Sequence, residues 1–280
     1  MIQFDFEYYR PQSAQEAVKL FQSLEQEGKK PAYCSGGTEH LTPGRLNVIH
    51  TNTVIDIKDI PECRTLQFER RHLALGSALT LTEVTENGGF PLLSKAVRDV
   101  ADHTARNKIT LGGNICGQIF YREAVLPFLL TDSKVVTIGD EGEKRYLIHD
   151  VFDQQLKLNK GEILISLLIE ERYLHQPFAS IKVRQQWDTG YPLATISALE
   201  IDGRVRCAFS GVCPFPFRSA EVESALNDEA LPVDQRVEEA ISRFPGPVLD
   251  DAQGSAEYRK FVIKHTLFDI CLLYTSPSPR

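Results

Sequence analysis

Ser35-Gly-Gly-Thr-Glu-His-Leu41 follows the short apolar run Pro31-Ala-Tyr-Cys34 and is too rich in glycine to continue a strand. A second stretch of the same kind, Thr110-Leu-Gly-Gly-Asn-Ile115, lies in the glycine-punctuated segment 106–117 and precedes a helical pattern. A phosphate needs backbone N–H groups aimed at it from a loop without intervening side chains, and glycine nests or helix N-termini supply them. Neither loop is a Walker motif, because Gln118 and Ile119 stand where a P-loop following Gly112 to Gly117 requires Lys and then Ser or Thr. Neither is a GxGxxG fingerprint, because Gly36-Gly37 and Gly112-Gly113 are adjacent rather than alternating. ATP hydrolysis and a Rossmann domain are therefore disfavoured. Taken singly, each pair reads as a turn needing positive φ. Two such loops, each after a strand-like run, also fit convergence on one polyanionic ligand such as a pyrophosphate, and spacing alone leaves both readings open.

Around these loops, strands and helices interleave. Ser13-Ala-Gln-Glu16 is a capping box ahead of a helical run whose Val18, Leu20, Phe21 and Leu24 share one face and which ends at Gly28. Residues 53–57 (TVIDI) and 73–77 (LALGS) are short strands, and 90–100 and 121–130 have helical spacing. Residues 133–138 and 163–169 are β-rich, with the acidic turn at 139–143 between them as a solvated hairpin tip. A first domain, 1–173, is expected to close near Tyr173, with subdomains of about 1–58 and 59–173. In a second domain, 177–273, residues 178–187, 193–201 and 205–212 read as three antiparallel strands, the last two joined by the tight-turn pair Asp202-Gly203. Helical patterns follow at 219–226, 233–243 and 256–273. In the last of these Tyr258, Phe261, Val262, His265, Phe268 and Leu272 recur at three- and four-residue steps and read as the packing stripe. The end of the chain, 274–280, contains two prolines and no apolar residue after Tyr274, and reads as a disordered tail or a scar.

Composition removes several classes of function. The chain has 280 residues, with 42% apolar and 25% charged, enough for one large or two ordinary domains. Lys and Arg total 31 against 38 Asp and Glu, a net charge of -7, which argues against a nucleic-acid partner. No apolar run is long enough to cross a bilayer, and the start MIQFDFEYYRPQ lacks the features of a signal peptide, so no membrane association and a cytoplasmic location are expected. Six scattered cysteines, without a CxxC pair, build neither a zinc ribbon nor an iron–sulfur cluster. No catalytic residue and no metal ligand is assigned.

With both loops in view, Ser35-Gly-Gly-Thr-Glu-His-Leu41 and Thr110-Leu-Gly-Gly-Asn-Ile115 resemble, in order and spacing, the paired FAD-binding loops of the flavoprotein (medium) subunit of molybdenum hydroxylases, the xanthine dehydrogenase and aerobic carbon monoxide dehydrogenase family. The resemblance continues through FEYYRPQSAQEAVKLF, VIDIKDI, LALGSALTLTEV, FASIKVRQQWDTGYPLATISALEI and GSAEYRKFVIKH. It implies an α+β fold: a two-subdomain α/β FAD-binding domain of the PCMH/vanillyl-alcohol-oxidase type, then a C-terminal three-stranded antiparallel sheet with helices. By the same resemblance the segment Ser35, Gly36, Gly37, Thr38, Glu39, His40 and Leu41 would hold the FAD diphosphate through backbone donors. Thr110, Gly112, Gly113 and Asn114 would form a second wall, and Gly76 would lie near the adenine. In the place where the family often carries an Asp nine residues after the Asn, this chain has Glu123, which reads either as a flavin contact or as a surface carboxylate at a helix start. Lys182 and Asp188 match positions that approach the isoalloxazine, where a cation near the N1–C2 carbonyl edge stabilises the reduced flavin. Trp187 could cover the ring, although a core role is commoner for tryptophan. His40 and His265 read as a helix-start residue and a packing residue.

What the resemblance implies functionally is a xanthine dehydrogenase-like oxidoreductase subunit that passes electrons from the iron–sulfur clusters of a small subunit, through FAD, to NAD+ or another acceptor. Substrate chemistry would take place in a molybdopterin-binding large subunit. The rivals are a stand-alone flavin oxidoreductase and a non-catalytic nucleotide-binding module.

Overall fold

The computed structural model describes residues 5–39, 51–87, 89–119, 121–184 and 190–275. His40, Leu41, Trp187 and Asp188 lie outside them. Packing gathers the chain into two units that interleave along the sequence: 1–89, 103–118 and 132–171 form the first, and 90–102, 119–131 and 172–280 the second.

The first unit opens with β1 (Glu7–Tyr9), the helix Ala14–Gln26, β2 (Pro31–Cys34) and β3 (Thr53–Asp56). Ser13 caps the helix by accepting from Glu16 N, and Glu16 takes Gln12 N at 2.7 Å rather than the N–H of Ser13, so the capping box forms in a variant shape. Ala14, Ala17, Val18, Phe21 and Leu24 are buried along this helix, with Leu20 packed at the edge of the same core, and Gly28 ends it with φ +78°. The three strands form a parallel sheet in the order β1-β3-β2. The core contains Ile55 and Ile57 from the face that meets the helix, with Tyr9 and Tyr33 packed against it, which leaves Asp56 on the other face.

A second sheet follows, from β4 (Leu66–Glu69), β5 (His72–Gly76), β6 (Lys134–Gly139), β7 (Gly142–Leu147) and, beyond the short pair β8 (Phe152–Asp153) and β9 (Gln155–Leu156), β10 (Ile163–Glu170). Its order is β4-β5-β10-β6-β7, antiparallel throughout. The acidic turn is a hairpin tip, but it joins β6 to β7, where Gly139 faces Gly142; β10 enters between β5 and β6.

In the second unit β11 (Phe178–Val183), β12 (Ala194–Ile201), β13 (Arg204–Ser210) and β14 (Phe217–Arg218) form an antiparallel sheet in chain order. The expected three-stranded sheet thus has a fourth strand of two residues, held on β13 by Phe209 opposite Phe217, too short to carry a periodicity. Asp202 and Gly203 both have positive φ, 51° and 75°, as a tight two-residue hairpin of primed type requires. Three helices, Ala220–Leu226, Val233–Ser242 and Ala256–Thr275, complete the unit.

The last of these turns a different face inward than its apolar spacing suggested. Arg259, Ile263, Leu267 and Ile270 are buried, whereas Tyr258 and Phe261 are 53% and 59% exposed. The helix carries apolar residues on two faces, and the inward one is the face whose Arg259 finds acceptors: Leu193 O at 2.8 Å, Leu249 O at 2.8 Å, Gly254 O at 2.9 Å and Asp251 Oδ1 at 3.0 Å. Among the described residues, no helix is long and apolar enough to cross a membrane.

Candidate functional site

The two glycine loops meet in the first unit. A Cβ placed on Gly36 would fall 1.8 Å from the carbonyl oxygen of Lys108 and 3.4 Å from Thr110 N, so the main chains of the two loops are in direct contact and only glycine fits. Further along, Gly117 approaches the Glu39 carboxyl, which lies 3.5 Å from the point where its Cβ would be. The segment after β5 joins them: Gly112 N donates to Ser77 O at 2.7 Å, Leu111 N to Leu79 O at 2.8 Å, and Leu81 N to Ile109 O at 2.9 Å. A Cβ on Gly112 would lie 2.7 Å from that of Ser77. Gly76 is glycine for a similar reason, since a Cβ there would meet Cys63 O at 2.2 Å.

The loops differ in what their amides do. Residues 111–116 form a helix capped by Thr110, whose hydroxyl accepts from Gly113 N at 3.2 Å while its carbonyl accepts from Asn114 N at 2.9 Å. With Leu111 and Gly112 bonded to the β5 segment, every amide from 111 to 114 has an acceptor within the chain. In the first loop, by contrast, no acceptor among the described residues takes the N–H of Ser35, Gly36 or Gly37. Gly37 has φ +75°, and the chain enters helical conformation at Thr38 and Glu39. The Ser35 hydroxyl is buried without a hydrogen-bond partner. Unspent amides in succession at a glycine turn, with an orphaned hydroxyl beside them, are the donor set an oxyanion needs, so the first loop fits a diphosphate. The second loop is the brace behind it.

Glu123 and Lys182, singled out separately in the sequence, meet in the second unit. The Glu123 side chain is 2% exposed at the start of the turn Glu123–Val125, so it is no surface carboxylate, and its Oε1 lies 2.7 Å from Lys182 Nζ on β11. Lys182, 10% exposed, also donates to the carbonyl of Asp99 at 2.8 Å. The contact with Glu123 is an ion pair rather than a hydrogen bond, since Glu123 Oε1 has no hydrogen-bond partner, and of the three ammonium donors the Asp99 carbonyl takes one. Strand alternation places Arg184 on the same side, where its guanidinium also reaches Asp99 O, just past the end of the helix Pro91–Val97.

Sequence reasoning missed a third cluster. Asp56, buried at the end of β3, accepts from Tyr8 OH, from Lys58 N at 2.9 Å and from Lys58 Nζ at 2.6 Å. Burial alone would push its carboxyl up; the hydrogen bonds from Lys58 and Tyr8 outweigh burial and hold it below its ordinary value. Burial, with Asp56 nearby, pushes the Cys34 thiol up, so this sulfur beside the loop is a poor nucleophile. An Asp followed two residues later by Lys at the end of a β-branched run was the available signal, but such pairs are commonplace on surfaces. Among the described residues no group of three or more His, Cys, Asp or Glu could hold a metal ion.

A mixed α/β protein with an amide-lined loop braced by a second loop belongs to the class that binds a phosphate-bearing cofactor. The profile described as FAD binding domain in molybdopterin dehydrogenase matches residues 4–169, and the chain belongs to that family. It is accordingly an oxidoreductase component whose cofactor is FAD. It is 23% identical over 273 residues to the glyceraldehyde dehydrogenase medium chain of Sulfolobus acidocaldarius, covering 93% of this chain and 95% of that one. It is 24% identical over 274 residues to the xanthine dehydrogenase FAD-binding subunit of Escherichia coli O157:H7, covering 91% and 89%. Among solved structures, a chain of carbon monoxide dehydrogenase from Hydrogenophaga pseudoflava superposes with a TM-score of 0.85 over 96% of both chains at 22% identity, a likeness of fold.

Proposed function

We propose that this chain is the electron-transfer flavoprotein subunit of a xanthine dehydrogenase-like molybdenum hydroxylase. Its partners are a molybdopterin-binding large subunit and an iron–sulfur small subunit, it works in the cytoplasm, and it passes electrons to NAD+ or another acceptor. The observation that carries the reading is the contact of Gly36 with the second loop, within a family whose cofactor is FAD. The names of the relatives support the partner assignment, since a medium chain and an FAD-binding subunit are parts of larger enzymes.

Bound FAD supplies reversible electron storage, and the protein supplies grip, orientation and local charge. In this reading Ser35, Gly36, Gly37, Thr38 and Glu39 hold the diphosphate through main-chain donors, continued by His40 and Leu41. Thr110, Gly112 and Gly113 keep the first loop in place, the Asn114 side chain bonds a phosphate or ribityl oxygen, and Gly76 lies toward the adenine. Lys182, paired with Glu123, approaches the carbonyl edge of the flavin ring, and by the family resemblance Asp188 does the same. The domain holding the loops is of the PCMH/vanillyl-alcohol-oxidase type, with subdomains of about 1–58 and 59–173, and 177–273 is the C-terminal domain.

Titrating the purified chain with FAD tests this: saturable quenching of flavin fluorescence and flavin absorption retained through gel filtration are expected. A chain that remains colourless defeats the flavoprotein reading. Co-expression with the two partner genes tests the rest: the three chains co-purify and reduce NAD+ or an artificial acceptor dye with the substrate of the large subunit, whereas the flavoprotein alone does not.

A further inference from the structure

β2 and β3 are parallel and end side by side, with Cys34 opposite Asp56 and Ile57 N donating to Cys34 O at 2.9 Å. Ser35 therefore leaves β2 on the same edge of the sheet from which Lys58 leaves β3. This is the carboxyl edge of a parallel sheet, the side on which open α/β sheets bind their ligands. The first loop brings neutral N–H dipoles to this edge, and a diphosphate brings two negative charges. Asp56, buried beside them, is a third negative charge, which would oppose the ligand unless balanced.

The balancing group is Lys58. Its ammonium rests on Asp56 Oδ2 at 2.6 Å, and its side chain is 49% exposed, so further N–H donors face outward. The hydrogen bond to Asp56 keeps the amine protonated beyond its ordinary range. On the neighbouring strand end, Arg10 is engaged by Asp59, and Tyr8 donates its hydroxyl to Asp56. Lys58 is thus an anchored, half-open cation on the same edge as the unspent amides.

We propose that Lys58 is a diphosphate-binding residue: Asp56 orients its ammonium at the carboxyl edge of the parallel sheet, where it contributes a charged contact to the FAD phosphates alongside the amides of Ser35, Gly36 and Gly37. This rests on the flavoprotein reading.

The test compares wild type with Lys58→Met, Lys58→Gln and Lys58→Arg by FAD fluorescence titration at low, about 0.1 M and about 0.5 M salt. Loss of the charge weakens FAD binding about 10-fold at about 0.1 M salt, near the low end for one charge-assisted hydrogen bond because the ammonium is half exposed. The deficit shrinks at high salt because a half-exposed charge is screened, and Lys58→Arg restores most of the affinity. Melting of the apoprotein falls in Lys58→Met and Lys58→Gln, because the buried Asp56 loses its charged partner, so the titrations are run well below the melting temperature of every variant. Wild-type affinity in Lys58→Met and Lys58→Gln, or a deficit that is the same at every salt concentration, overturns the proposal and leaves the flavoprotein reading standing. Failure of the wild type to bind FAD removes that reading itself.

Discussion

At Gly36 the neighbouring chain leaves no space for a side chain, because the obstacle is the Lys108 carbonyl, which is main chain and cannot rotate away. At Gly113 the obstacle is the Thr110 hydroxyl, 2.8 Å from the place an added methyl would take and able to turn aside at the expense of the helix cap. Gly36→Ala is therefore expected to lower stability by about 1–3 kcal/mol through overpacking and to abolish measurable FAD binding. Gly113→Ala should cost about 1 kcal/mol and leave FAD binding weakened but present. Fluorescence titration and thermal melting of the two variants check this, and equal behaviour would place the loops' contact elsewhere. The Glu123–Lys182 pair gives a second residue-level expectation. Removing one partner strands a buried charge, so Glu123→Gln and Lys182→Met should each cost about 3–5 kcal/mol, while the double variant costs clearly less than their sum. Urea denaturation of the four proteins measures the coupling, and strict additivity would mean that the pair is not formed.

Among the elements, the helix Leu111–Cys116 matters most to the site, because its cap fixes the amides behind the first loop. Thr110→Val keeps the shape and removes the acceptor for Gly113 N, so about 1 kcal/mol of stability and part of the FAD affinity should go together. Ser13→Ala, which uncaps the helix Ala14–Gln26 in the same way, should cost a similar amount and leave FAD affinity unchanged. A parallel loss of affinity in both would show that stability alone is being read. Capped helices and strongly alternating strands were legible because their signals are local: Ser13, Gly28 and the Asp202-Gly203 turn all do what their chemistry predicts. β7 was not, because Gly142-Glu-Lys-Arg-Tyr-Leu147 lies at a sheet edge, where charged side chains replace an apolar face. The last helix misled in the opposite way, since two of its faces are apolar and only the Arg259 acceptors decide between them. Of the candidate site, the glycine positions were legible from composition. The division of labour between loops was not, since it depends on Ser77 and Leu79 carbonyls distant in sequence. The pairing of Glu123 with Lys182, likewise, is written in no local pattern.

Each unit of the whole molecule contains a carboxylate held below its ordinary value by a cation: Asp56 with Lys58 in the first, and Asp251 with Arg259 in the second. For Asp251, burial pushes upward but the Arg259 hydrogen bond and the Gln253 N–H outweigh it. A carboxyl whose folded value is depressed binds its proton more readily in the unfolded chain, where it titrates near about 3.9. Its contribution is therefore fully present above that value and lost as the pH falls through the lower, folded value. Stability should be nearly flat on this account from neutral pH to about 5 and should decline below about 4. Asp251→Asn removes one such contribution and strips the fully buried Arg259 of its only charged acceptor among the described residues, so it should be less stable at pH 7 yet lose less on acidification. Urea midpoints between pH 7 and 3 for wild type and Asp251→Asn decide it: converging curves are expected, and parallel ones would mean that acid lability originates in carboxylates other than Asp251.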